Sequence, residues 1–194
     1  MKAELICAVV AAGCMAAEPT RAQSVERFDI GAQFTAMRLS GIDATDAGVG
    51  ARFSWNVNDR LTLEAVTDFF PTGKGNVARG GRKLDALFGF KEGWRGARVG
   101  AFVKARAGLA RVGEGRLVGV CILIFPQPEA CYAADTRLAF DLGGVFEIYP
   151  SRRGTVRIDV GDLATRLTGS SSRFGRGGDV AHDLQVGAGI GVRF

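Results

Sequence analysis

The chain has 194 residues, which is enough for one domain and short for two. Hydrophobic residues make up 47% and charged residues 23%, a composition that excludes a disordered chain. The net charge of +5 comes from basic residues spread singly along the sequence, so no nucleic-acid partner is expected. One histidine is too few for a multi-histidine metal site, and no cofactor is expected.

The first 22 residues have the pattern of a cleaved signal peptide. Lys2 supplies the positive start, and Leu5–Ala17 is an apolar stretch shorter than the roughly 20 residues of a spanning helix. Thr20 and Ala22 provide the small residues that signal peptidase requires. We therefore predict a signal peptide at 1–22 and one folded domain at 23–194.

Two of the four cysteines, Cys7 and Cys14, lie inside the predicted signal peptide. Cys14 follows Ala12 and Gly13, so lipoprotein processing at this cysteine is an alternative to ordinary cleavage. Cys121 and Cys131 remain in the mature chain. In the oxidising periplasm, this closely spaced pair predicts a disulfide that closes a local loop.

Apolar and polar residues alternate along most of the mature chain, which indicates β-strands because successive side chains point to opposite faces. The pattern is clearest at the end, where Leu184, Val186 and Ile190 share one face with Phe194. Eight such runs are predicted, at residues 28–36, 49–57, 61–69, 84–90, 99–109, 138–148, 156–160 and 184–194.

Short and long connections separate these runs in alternation. The short turns are predicted at 58–60, 92–96 and 150–154, and the long loops at 39–47, 71–82, 113–134 and 162–182. This layout is typical of an outer-membrane barrel, with short turns at one rim and long loops at the other. An even number of strands places both mature termini on the short-turn, periplasmic side.

The polar face is predicted to line the inside of the barrel. It carries most of the strand glycines, which leave room for long side chains, and its charges nearly balance, as enclosed charges must. A soluble periplasmic barrel of the lipocalin kind, with its apolar face inward, is the alternative. The predicted lumen charge network consists of Arg52, Glu64, Asp68, Asp85, Arg98, Lys104, Arg106, Arg137, Asp141, Glu147, Arg157 and Asp159.

The last eight residues, Gly187-Ala-Gly-Ile-Gly-Val-Arg-Phe194, resemble the terminal strand of outer-membrane proteins. Over about residues 25–194, the strand pattern resembles that of the OmpA-type superfamily of small outer-membrane barrels. The resemblance implies an all-β, closed, antiparallel, up-and-down transmembrane barrel of about eight strands. It also implies that Phe194 is the signal read by the barrel-assembly machinery.

The expected role is non-enzymatic: a barrel with a charge-plugged lumen that acts structurally or through its long surface loops. A narrow conduit for small apolar molecules, similar to the OmpW type, is one alternative. A lipid A-modifying enzyme is another, but His182 and its neighbours lack the histidine–serine spacing of the PagL-like deacylases. Outer-membrane lipid and lipopolysaccharide are the expected partners, no extracellular ligand is indicated, and the candidate phosphate contacts are Lys74, Arg79, Arg173 and Arg176.

Overall fold

The computed structural model describes residues 26–39, 44–72, 82–117, 132–166 and 180–194, with side chains omitted at 114–117 and 132–135. The predicted signal peptide and the predicted disulfide between Cys121 and Cys131 lie outside the described residues. Within the described part there is no helix long and apolar enough to cross a membrane.

Eight antiparallel strands form one closed barrel in which each strand pairs with its neighbours in sequence. The ring is closed by pairing of the first and last strands, from Asp29 opposite Arg193 to Arg38 opposite Leu184. The fold class predicted from the alternating pattern is therefore confirmed. The strands are β1 Phe28–Leu39, β2 Ala44–Asn56, β3 Leu61–Phe70, β4 Lys83–Arg95, β5 Val99–Leu117, β6 Tyr132–Ile148, β7 Gly154–Arg166 and β8 Val180–Arg193.

Several strands are longer than the sequence pattern predicts. The turn predicted at 92–96 is wrong, because β4 continues through Arg95 and pairs with β5 as far as Gly100. At the loop end, β2 begins at Ala44, inside the loop predicted at 39–47. Backbone pairing depends on the neighbouring strand rather than on alternating hydropathy, so it continues beyond the apolar run.

The apolar residues of the strands face outward. Ile190, Val103 and Phe88 are 67%, 64% and 61% exposed, whereas the alternate positions are largely buried inside the ring. A soluble barrel buries its apolar face, so the lipocalin-like alternative is wrong. A closed ring of paired strands with an apolar exterior suits lipid, where every backbone group needs a partner.

The turn end of the barrel carries exposed aromatic side chains. Trp55 and Trp94 are 46% and 55% exposed. The ring of Phe28 lies 5.9 Å from those of both Phe53 and Phe194, measured between centroids. Such amphipathic and aromatic side chains are typical of the border between lipid and water.

Candidate functional site

The candidate site is the polar interior, and most of the predicted network lies there. All of its predicted members except Arg98 and Arg137 are buried. The assignment of Arg98 to the lumen is wrong. It lies in the turn between β4 and β5 with its side chain exposed, because β4 extends further than predicted. Arg137 lies near the loop end of β6, opposite Ala110, and is partly exposed.

Glu64 holds together the centre of this interior. Its carboxylate accepts hydrogen bonds from both terminal nitrogens of Arg157, with a distance of 3.0 Å from Nη2 to Oε1. Arg106 Nη1 donates to the same Oε1 at 3.1 Å. Since β3 and β7 lie on opposite sides of the ring, the bridge between Glu64 and Arg157 crosses the lumen.

A second group of charges lies against this bridge on β5, β6 and β7. Lys104 pairs with Asp159 and lies 2.9 Å from Asp141 Oδ2. Arg106 Nε donates to the same Asp141 oxygen at 2.7 Å, and Arg157 Nη2 donates to Asp159 at 2.5 Å. Each of these buried charges therefore has an opposite charge beside it, which offsets the cost of removing it from water.

Glycines opposite the long side chains provide the space that they need. Arg52 on β2 donates to Asp29 Oδ1 at 2.9 Å, and its side chain lies across β1 toward β8. A Cβ at Gly31 or Gly191 would lie 2.7 or 2.8 Å from Arg52 Nη2, and one at Gly161 would lie 2.8 Å from Lys104 Nζ. The predicted link between polar-face glycines and lumen charges therefore has a direct steric basis.

At the turn end of the interior, the sequence predicted Glu147 but not the residues around it. Lys91 pairs with Glu147, whose other oxygen accepts a 2.8 Å hydrogen bond from the Tyr149 hydroxyl. Arg95 Nη2 donates to Asn56 at 2.7 Å. Tyr149 faces inward and is buried. It directly follows β6 and continues the alternation of that strand, whose odd-numbered residues face inward.

Toward the loop end, the interior becomes partly apolar. Asp68 accepts hydrogen bonds from Gln33 and Thr35, and Asp85 lies 3.2 Å from Lys83 Nζ. The Lys83 side chain lies against an apolar layer, defined here as Met37, Phe70, Leu87, Ala110, Ala139 and Leu163. Ion pairs and packed apolar side chains thus occupy successive levels of the lumen, and the described residues include no cluster suited to a metal ion.

The histidine considered for catalysis lies on the outer surface. His182 Nδ1 is 2.7 Å from Asp162 Oδ2 on β7, and both side chains are at least half exposed. Asp183, its neighbour in sequence, points into the barrel instead. Ser170, Ser171 and Ser172, which the enzyme alternative would need as nucleophiles, lie outside the described residues.

The remaining predicted site residues divide between the described and undescribed parts. Phe194 is 55% exposed, and its backbone exchanges two hydrogen bonds of 2.9 Å with Phe28 at the closing seam. The candidate lipopolysaccharide contacts all lie outside the described residues; they are Lys74, Arg79, Arg173 and Arg176.

Comparison with solved structures identifies the same architecture. The chain resembles the Neisserial surface protein A, NspA, with a TM-score of 0.54, 15% identity and coverage of 86% of this chain and 97% of that one. It also resembles the N-terminal β-barrel domain of Pseudomonas aeruginosa OprF, with a TM-score of 0.50, 11% identity and coverage of 86% and 97%. No protein-family model and no curated protein matches the chain. The closed ring, the outward apolar face and these likenesses give the chain the fold of a small, eight-stranded outer-membrane β-barrel of the OmpA type.

Proposed function

We propose that the chain is an integral outer-membrane protein whose lumen is closed and whose specific role resides in its loops. The observation that carries this proposal is the inverted arrangement of the barrel, with large apolar side chains outside and paired charges inside. The role is structural or surface-interacting rather than enzymatic. Export through the predicted signal peptide and insertion by the barrel-assembly machinery, with Phe194 as its signal, belong to the same proposal.

The turn end faces the periplasm in this proposal, and both mature termini lie there. Support comes from a difference between the two rims. The connections at 57–60, 96–98 and 149–153 are short, whereas three of the four at the other rim, 71–82, 118–131 and 167–179, are longer and the fourth, 40–43, is short. Outer-membrane barrels have short periplasmic turns and longer extracellular loops. The basic residues Lys74, Arg79, Arg173 and Arg176 then lie on the side of the lipopolysaccharide phosphates.

Epitope insertion tests both the location and the orientation. One variant carries the epitope within the loop at 118–131, and its control carries the same epitope in the turn at 96–98. We expect both variants to fractionate with the outer membrane, and only the loop epitope to be reached by antibody on intact cells. Labelling of the turn epitope alone would show that the orientation is opposite to the one proposed. Recovery of both variants in the soluble periplasm would refute the membrane location.

A further inference from the structure

Three arginines interrupt the apolar exterior near its loop end. Arg38 on β1, Arg111 on β5 and Arg166 on β7 all have exposed side chains at outward positions. Each of two of them has an exposed apolar partner on an adjacent strand: Arg38 lies opposite Leu184 and Arg111 opposite Leu84, which are 51% and 43% exposed. These three residues, called the rim arginines below, mark the loop-side border of the apolar surface.

The rim arginines lie at similar distances from the turn end. Arg38, Arg111 and Arg166 follow the first residues of their strands, Phe28, Val99 and Gly154, by 10, 12 and 12 residues. At about 3.4 Å per residue and a tilt of about 40°, ten to twelve residues rise about 26–31 Å along the barrel axis. The apolar band that such barrels present to lipid is about 25 Å tall, so the rim arginines lie at its end or just beyond it. The rim arginines therefore lie where the headgroups of one leaflet begin.

The rim arginines are spread along half of the circumference rather than forming a compact patch. β1 and β5 lie on opposite sides of the ring, with three strands between them in either direction, and β7 lies midway along one of the two arcs. A protein partner docked on one face would not contact all three. A lipid leaflet surrounds the barrel and contacts them together.

The charge of this border is predominantly positive in the described strands. Asp162 is the acidic side chain that faces outward near it, and its carboxylate is bound by His182. Glu92, the other outward-facing acidic residue among the strand residues whose side chains are described, lies at the turn end. The guanidinium of arginine binds phosphate through paired hydrogen bonds, and its aliphatic stem can lie along apolar surface.

We infer that Arg38, Arg111 and Arg166 form an arc along half of the barrel that binds the phosphate groups of lipid A in the outer leaflet. The inference rests on the proposed function, because the loop end must face the lipopolysaccharide. It assigns lipid A contacts to the strands themselves, separately from the basic residues of the loops.

The test compares two triple variants of the mature chain refolded in zwitterionic detergent micelles. The rim variant carries Arg38→Gln, Arg111→Gln and Arg166→Gln. The control carries Arg60→Gln, Arg98→Gln and Arg152→Gln, three exposed arginines of the turns, so both variants lose the same charge. Binding of bisphosphorylated lipid A in mixed micelles is measured by calorimetry, with dephosphorylated lipid A and inorganic phosphate as separate probes.

We expect the rim variant to lose about tenfold in affinity for bisphosphorylated lipid A, since three partly solvated charge pairs are removed, and the control to retain it. Dephosphorylated lipid A should bind wild type as weakly as bisphosphorylated lipid A binds the rim variant, and inorganic phosphate should not bind measurably. Equal affinity of wild type and rim variant, an equal loss in the control, or binding of free phosphate would each overturn the inference.

A gel-mobility shift on boiling separates this result from the proposed function. If wild type and rim variant both show the shift but bind lipid A equally, the lipid A inference fails and the membrane barrel stands. If wild type shows no shift, the proposed function fails and the inference fails with it. Should the triple variant not refold, Arg166→Gln alone provides the comparison, and an affinity equal to that of wild type would overturn the inference.

Discussion

Arg157 and Glu64 join opposite walls of the barrel through two hydrogen bonds, although 93 residues separate them in sequence. Both side chains are about 99% buried, and Arg106 and Lys91 also approach Glu64. The bridge is thus the point at which the charges of β3, β4, β5 and β7 meet. Its contribution can be measured, because removing Glu64 leaves the buried cations around it short of one negative charge.

Replacing Glu64 with glutamine should lower the free energy of unfolding by about 3–5 kcal/mol, because Arg157, Arg106 and Lys91 then share an uncompensated positive charge. Urea unfolding in micelles, followed by tryptophan fluorescence, measures the loss. Glu92→Gln is the control, since Glu92 is exposed on the outer surface. A loss no larger than that of the control would mean that water, rather than Glu64, compensates the cations.

Replacing Gly191 with alanine should destabilise the barrel by about 1–3 kcal/mol. The added Cβ would lie 2.8 Å from Arg52 Nη2 and 2.9 Å from Asp29 Oδ1, so it would disturb their ion pair at the closing seam. Gly144→Ala is the matched control, because Gly144 faces outward and its nearest neighbour, the Phe102 carbonyl oxygen, would be 3.8 Å away. The same unfolding assay applies, and equal stability of the two variants would contradict the steric argument.

Tyr149 should make the stability of the turn end depend on alkaline pH. Burial, with the neighbouring Glu147 carboxylate adding to it, raises the pKa of the Tyr149 phenol above its ordinary value near 10. The stabilising contribution of a raised pKa is present below about pH 10 and is lost as the pH rises above it. The difference in unfolding free energy between wild type and Tyr149→Phe should therefore shrink between about pH 9 and pH 12. A constant difference across this range would show that Tyr149 does not titrate differently in the folded chain.

The lumen should not conduct ions, because the ion-pair level and the apolar layer close it in series. In planar bilayers we expect no steady conductance from wild type or from the pair Glu64→Ser and Arg157→Ser. Adding Phe70→Ser and Leu163→Ser, which removes side chains that are fully buried in the apolar layer, should open a small pore. Steady conductance of wild type would favour the conduit alternative. Conductance of the variant with only Glu64→Ser and Arg157→Ser would show that the apolar layer does not block ions.

The sequence predicted the number of strands and which face lines the lumen. Both follow from side-chain alternation, which is a property of each strand and does not depend on the strand that pairs with it. It did not predict strand ends: Arg98 was assigned to the lumen and Lys91 was missed, because β4 continues through the expected turn. Nor could it pair Glu64 with Arg157 or His182 with Asp162. Those contacts depend on ring closure and on the stagger between strands, which no single strand encodes.

The most direct test of the inverted barrel is the electrophoretic mobility of the mature chain, refolded in detergent, before and after boiling. We predict a compact band that migrates fast without boiling and slows after it, together with the circular dichroism of a β-protein, because a closed barrel with its apolar face in detergent resists unfolding. A chain that stays monomeric and folded without any detergent would contradict this account, since such a protein must bury the apolar face that the barrel places outside.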